Sequence, residues 1–156
     1  MTMKKFLAAF LALMLLLGLS ACDSGTAKQA DLTAVMDSMK GILENKDMMD
    51  LTADNLMPQY GIDSADCKQF AVYIDSTGLK GDEIVLLEGI DADAAARLKE
   101  KMDERYQQKE NTMKDYQPEE FAMLKECKVE QTGNYVSMIV SPQHEELEKI
   151  YSEAFQ

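Results

Sequence analysis

The hydrophobic positions along this chain change period several times, and each change predicts an element. From Asp31, apolar residues fall at Leu32, Val35, Met36, Met39, Ile42 and Leu43. Steps of three and four put them on one helical face. A shorter helix is predicted over 52–57, closed by Pro58 and the turn Tyr60-Gly61-Ile62-Asp63. The period then drops to two. Phe70, Val72 and Ile74 alternate with Ala71, Tyr73 and Asp75, and a second strand, DEIVLLE, follows the turn STGLKG. Asp91 opens a long helix whose stripe runs through Leu98, Met102, Tyr106, Lys109 and Met113, with the charged residues opposite read as a solvated face. A short helical turn is predicted over 119–124, then strands over 126–132 and 135–140 joined by Gly133-Asn134. Ser141-Pro142 begins a last helix with apolar positions at Leu147, Ile150, Tyr151, Ala154 and Phe155.

The expected fold is α+β. A helical preface leads into β-β-α-β-β-α, giving a mostly antiparallel, four-stranded sheet with both main helices on one side. A short echo at an offset of 52 residues aligns Gly81-Asp82 with Gly133-Asn134, Ile84 with Val136, and Leu86 with Met138. It raises the question of an internal repeat.

The start of the chain follows different rules. Met1–Lys5 carries two lysines and is followed by FLAAFLALMLLLGL, which is short for the roughly 20 residues that span a bilayer core. It reads as a secretory signal. The signal ends in Leu19-Ser20-Ala21-Cys22, the pattern of a bacterial lipobox, which makes Cys22 the candidate lipidation site and the new N-terminus. Acyl chains contribute about 0.8 kcal/mol per buried methylene, and two or more hold stably. The expected organisation is a signal peptide at 1–21, a lipidated cysteine and flexible tether at 22–30, and one domain at 31–156. The protein would sit lipid-anchored on the extracytoplasmic face of a cell membrane.

Charge supports that placement. The chain has 16 basic and 28 acidic residues. Cleavage removes Lys4 and Lys5, so the mature net charge moves from −12 to −14. Such a surface repels nucleic acid and anionic headgroups, so attachment falls to the acyl chains.

Little in the sequence speaks for catalysis. The single histidine, His144, lies in the first turn of a predicted surface helix. There is no G-x-S-x-G, no CxxC and no phosphate loop. Asp91-Ala-Asp93 opens like a calcium loop but lacks its later ligands and glycine. No catalytic residue, metal ligand or cofactor is assigned. Cys67 and Cys127 both lie near strand starts, and the sequence leaves open whether they form a disulfide or stay as buried thiols. Loops carry recognition in rigid scaffolds, so the YGID and DYQPEE turns are the expected ligand-facing segments.

The ordered series Tyr60-Gly61-Ile62-Asp63, Gly81-Asp82-Glu83-Ile84-Val85-Leu86, the long charged helix, Asp115-Tyr116-Gln117-Pro118-Glu119 and Thr132-Gly133-Asn134-Tyr135-Val136 resembles the DUF4358 lipoproteins of Gram-positive bacteria. The resemblance runs from Leu32 to Phe155. It implies location and domain type, and brings no catalytic roles with it. Tyr60, Gly61, Glu83, Tyr116 and Gly133 match recurring positions of that family. Tyr60, Asp63, Glu83 and Tyr116 are therefore the candidate ligand-facing residues. The functional expectation is an extracytoplasmic binding or accessory protein with a protein or cell-wall partner. The alternative is a hydrolase using Asp and Glu on wall material.

Overall fold

The computed structural model describes residues 29–156. The signal segment, Cys22 and the tether up to residue 28 lie outside the described residues. The elements are α1 (Leu32–Lys40), β1 (Met48–Asp50), α2 (Ala53–Tyr60), a 3-10 turn (Ser64–Asp66), β2 (Cys67–Asp75), β3 (Glu83–Gly89), α3 (Ala92–Tyr116), α4 (Pro118–Glu126), β4 (Val129–Thr132), β5 (Tyr135–Val140) and α5 (His144–Glu153). The sheet has five strands in the order β1-β2-β3-β5-β4, and every neighbouring pair is antiparallel.

Local chemistry sets the helix ends. Asp31 accepts hydrogen bonds from the amides of Thr33 and Ala34, and Asp91 from that of Ala94, so both long-range helices start on an aspartate cap. Helix α2 ends where Gly61 turns left-handed at φ 67°. Pro58 does not close this helix as expected; it sits inside, one turn before the glycine that does. Gly89 admits α3 onto the strand it follows: a side chain there would begin 2.6 Å from the backbone nitrogen of Ala95.

The α+β class stands, while the layering differs from the expectation. Val85 and Leu87 of β3 join Val136, Met138 and Val140 of β5 in a core with Leu98, Met102 and Met113 of α3 and Leu124 of α4. Ile84 and Leu86, with Ile139, face the other way, onto Leu32, Val35, Met36 and Met39 of α1 and Leu147 and Tyr151 of α5. Helices therefore cover both faces of the sheet, and all seven residues of β3 are buried. Burying each large apolar side chain is worth about 1.5–3 kcal/mol, so a strand buried on both faces is the axis of the fold.

The same alternation disposes of the repeat. Ile84 and Leu86 belong to one core, while the residues aligned with them, Val136 and Met138, belong to the other. The two helices that follow the hairpins likewise lie on opposite faces. The fifth strand, β1, was not expected. It is a three-residue edge strand with Met48 buried and Met49 exposed, paired with β2 through Met48↔Asp75. Both edges of the sheet are thus short strands, which limits pairing with other chains.

Ala30, counted with the tether by sequence, is buried. The side-chain amide of Gln69 donates to its carbonyl at 2.7 Å and accepts from the amide of Leu32 at 2.9 Å. That same amide donates to Glu88 at 2.5 Å, and Lys68 reaches Glu88 at 2.8 Å. One glutamine therefore clips the chain entering α1 onto β2.

Candidate functional site

The strand order brings one end of β2 and β3 under the middle of α3. Glu83, the first residue of β3, shares its face with Val85 and Leu87 and points at that helix. It is fully buried. Two side chains one turn apart on α3 meet it. Arg105 binds in a fork, Nε to Oε1 at 2.9 Å and Nη2 to Oε2 at 2.8 Å. Lys109 Nζ donates to Oε2 at 2.8 Å. Burial alone would raise the Glu83 pKa, but the Arg105 hydrogen bonds and the Lys109 charge outweigh it and hold the carboxyl below its ordinary range. The cluster is one carboxylate with two cations, so it carries net positive charge into the interior.

Tyr60 completes the cluster. Its ring lies under the Arg105 guanidinium, 5.6 Å from the centroid. Its hydroxyl is enclosed beside Glu83 without a well-formed hydrogen bond. Burial first, and the Glu83 charge second, push that phenol far above its usual range.

Beside this cluster lies a cavity of about 420 Å³, walled by α3 and by the loop joining β2 to β3. The second half of the loop is held against α4 and the residue that precedes it. The Gly81 amide donates to Glu120 of α4 at 2.7 Å, and the Gln117 side chain donates to the Leu79 carbonyl at 3.1 Å. Asp75 is fully engaged: it accepts from Asn45 at 3.2 Å, Thr77 at 2.7 Å and the Lys80 amide at 3.4 Å. Asp82 is not. It is 3 % exposed; it alternates with Glu83, so its carboxylate lies on the Ile84 face of the sheet, and its enclosed Oδ1 takes no hydrogen bond. Burial raises its pKa; the nearby Asn45 and Ser141 side chains pull it partly back without reaching full hydrogen-bond geometry.

The predicted site residues separate on this geometry. Glu83 and Tyr60 come together, but both are buried rather than presented on a loop; Glu83 lines the cavity, and Tyr60 packs behind it under Arg105. Tyr116 is 84 % exposed and adjoins Gln117 at the cavity rim, next to exposed Leu79. Asp63 stands apart as the cap of the 3-10 turn, accepting from the Ala65 amide at 2.9 Å. Cys22 lies outside the described residues.

Cys67 and Cys127 are free thiols, and burial pushes both to a pKa of about 11. The register keeps them apart. Cys67 is level with Gly89, whereas Val129, two residues after Cys127, is level with Met138, Val85 and Val72. They occupy opposite ends of the sheet, more than about 20 Å apart along the strands. A disulfide needs Cα atoms within about 7 Å.

Sequence reasoning missed Arg105, Lys80 and Asp82. Lys109 was on the predicted apolar stripe of the long helix, and a lysine in such a stripe was the available signal for a buried ion pair. Among the described residues no group of three or more His, Cys, Asp or Glu side chains could hold a metal ion. No described helix is long and apolar enough to cross a membrane.

No curated protein and no solved structure matches this chain. The family model described as a domain of unknown function, DUF4358, matches residues 42–141, a span running from before β1 to just past β5 and containing every cavity residue named above. The chain belongs to the DUF4358 family.

Proposed function

We propose that this protein is an extracytoplasmic, lipid-anchored binding protein, held to the membrane through Cys22, and that the cavity between α3 and the β2–β3 loop is its ligand site. The observation that carries the reading is the cavity's charged floor. Buried charges are normally fully paired, because leaving them unpaired costs several kcal/mol. Here the Glu83 cluster has one cation more than it has carboxylates, and Lys109 and Arg105 each keep N–H groups beyond those given to Glu83. A bound molecule supplies the missing partners.

The lipobox and the acidic surface support the anchored placement, and Gln69's grip on Ala30 brings the tether out at one fixed point of the domain. A wall-acting hydrolase finds less support. Glu83, the most buried carboxylate of the site, is held ionised by two cations and so is not free to exchange a proton.

Native mass spectrometry of the full chain, extracted from its own membrane in detergent, tests this reading. The expected species begins at Cys22, carries acyl mass and retains a small-molecule adduct. Thr112→Trp, which fills the cavity from α3, loses the adduct and keeps the lipid. A precursor retaining Met1–Ala21 contradicts the anchor, and an adduct that survives Thr112→Trp contradicts the cavity.

A further inference from the structure

Helix α3 turns one polar row onto the cavity. Arg105, Gln108, Lys109 and Thr112 recur at steps of three and four and all line it, while Ile74 and Met113 supply apolar wall. In this row two cations share one carboxylate, a surplus of one positive charge. Both Glu83 oxygens are taken, whereas Lys109 keeps two of its three N–H groups and Arg105 keeps Nη1. Lys80, on the loop, also lines the cavity and makes no ion pair among the described residues, although part of its field falls on Asp82. The two aspartates at this end of the sheet give the cavity no free acid. Asp75 spends its oxygens on Asn45, Thr77 and the Lys80 amide, and Asp82 lies on the Ile84 face. In a chain with 28 acidic and 16 basic residues, this cavity's unspent charge is cationic.

We infer that the ligand presents a single carboxylate to this cavity, seated on Lys109 with Arg105 and Lys80 beside it. This rests on the cavity being the ligand site. A cation meets the surplus positive charge and finds no free acid to pair with. A neutral molecule leaves the surplus unanswered in a largely buried place, where an unpaired charge is costly. A dianion brings one charge more than the Glu83 cluster can match, and the acidic surface repels it more strongly than a monoanion. One carboxylate closes the count, two acids against two bases. The volume, about 420 Å³, falls within the range of small-molecule pockets, and Ile74 and Met113 give an apolar portion something to pack on. A dissolved acid and the carboxylate of a lipid headgroup share this chemistry, and the experiment separates them.

The test is an NMR titration of the full chain in phosphatidylcholine nanodiscs, read at the amides of Gly78, Lys109 and Gln117. The probes are acetate, butyrate and benzoate, with butyramide as the neutral control, butylamine as the cation and sulfate as the dianion. At least one carboxylate is expected to bind about tenfold more tightly than butyramide, the gain of one charge-assisted hydrogen bond, and more tightly than sulfate. Lys109→Met leaves Arg105 forked onto Glu83, cancels the surplus charge and removes the preference. Lys80→Met, at an exposed residue with no ion pair to lose, weakens the carboxylate and leaves butyramide unchanged, in a variant whose fold is not at stake. Nanodiscs containing phosphatidylserine separate the sources: shifts of the three amides that phosphatidylcholine alone does not cause place the same carboxylate on a lipid. If butyramide or butylamine binds as tightly as every carboxylate, the inference is overturned and the cavity stands as a site for another class of molecule. Sulfate binding more tightly than every carboxylate overturns it as well. Shifts confined to other parts of the protein, with none at the three amides, overturn both the inference and the cavity reading. If neither the probes nor phosphatidylserine shift any amide, the inference is overturned, and the adduct experiment decides the cavity reading separately.

Discussion

Strand β3 carries two buried glutamates, Glu83 at its start and Glu88 near its end, and they serve different purposes. Glu88 faces α1 and α5. Its partners, Lys68 and Gln69, come from the neighbouring strand, and Lys68 is half-exposed. Burial works against its charge, but Lys68 and Gln69 hold its pKa below the ordinary value. The result is a closed clip on the chain at Ala30–Leu32. Glu83 faces α3, and both of its partners are largely buried cations from a helix. The carboxylate at Glu88 finishes a structural joint, whereas the one at Glu83 organises cations that still have donors to spare. Burial of an acid does not by itself mark a functional site. The difference lies in whether the surrounding groups are used up.

Substitutions at the two ends separate these roles. The largest effect is expected for Glu83→Ala, which leaves Arg105 and Lys109 uncompensated. Breaking a buried ion pair from one side costs about 3–5 kcal/mol, read as a lowered midpoint in urea unfolding. Gln69→Ala is next. It orphans the Ala30 carbonyl and the Leu32 amide, at about 1–3 kcal/mol, and hydrogen exchange at Leu32 accelerates while the α3 amides keep their protection. Asp82→Asn runs the other way and stabilises by about 1 kcal/mol at neutral pH, because it removes an unpaired buried charge. The smallest effect is expected for Lys68→Ala, whose exposed ammonium is screened by solvent; the midpoint barely moves.

Acid separates the carboxylates by sign. Glu83 and Glu88 sit below their ordinary value of 4.5 in the folded protein, so their stabilisation is present above that pH and is lost as pH falls through the lower native values. Asp82 sits above its ordinary 3.8, so its ionisation costs stability as pH rises from there. Unfolding curves at stepped pH should therefore show Asp82→Asn and the natural protein coinciding below about pH 3.8 and diverging above it. Coincidence at every pH would remove Asp82 from the strained set.

Much of the fold was legible because long periodic segments declare themselves. The extent of α3 follows from its stripe and its Asp91 cap, and β5 follows from YVSMIV. The layering is legible too, in the continuity of the apolar runs. An unbroken apolar run such as IVLL in β3 marks a strand covered on both faces, whereas alternation as in β2 marks a half-covered one. β1 is too short to show any period. In the site, Arg105 fell to a choice between neighbours. Arg105 and Tyr106 follow Met102 by three and four residues, and hydrophobicity puts the tyrosine on the buried stripe and the arginine on the solvated face. In fact Tyr106 pins α4 through the Leu124 carbonyl at 2.8 Å, and Arg105 enters beside it to reach Glu83. The family-like positions Tyr60 and Glu83 belong to one cluster, which no periodicity could have shown, because the pairing depends on how α2 and β3 meet across α3.

The most direct measurement is a crystal structure of the full chain purified from its own membrane. The account predicts a small molecule in the cavity against Lys109, with Arg105 still forked onto Glu83. Water alone in that space would contradict it.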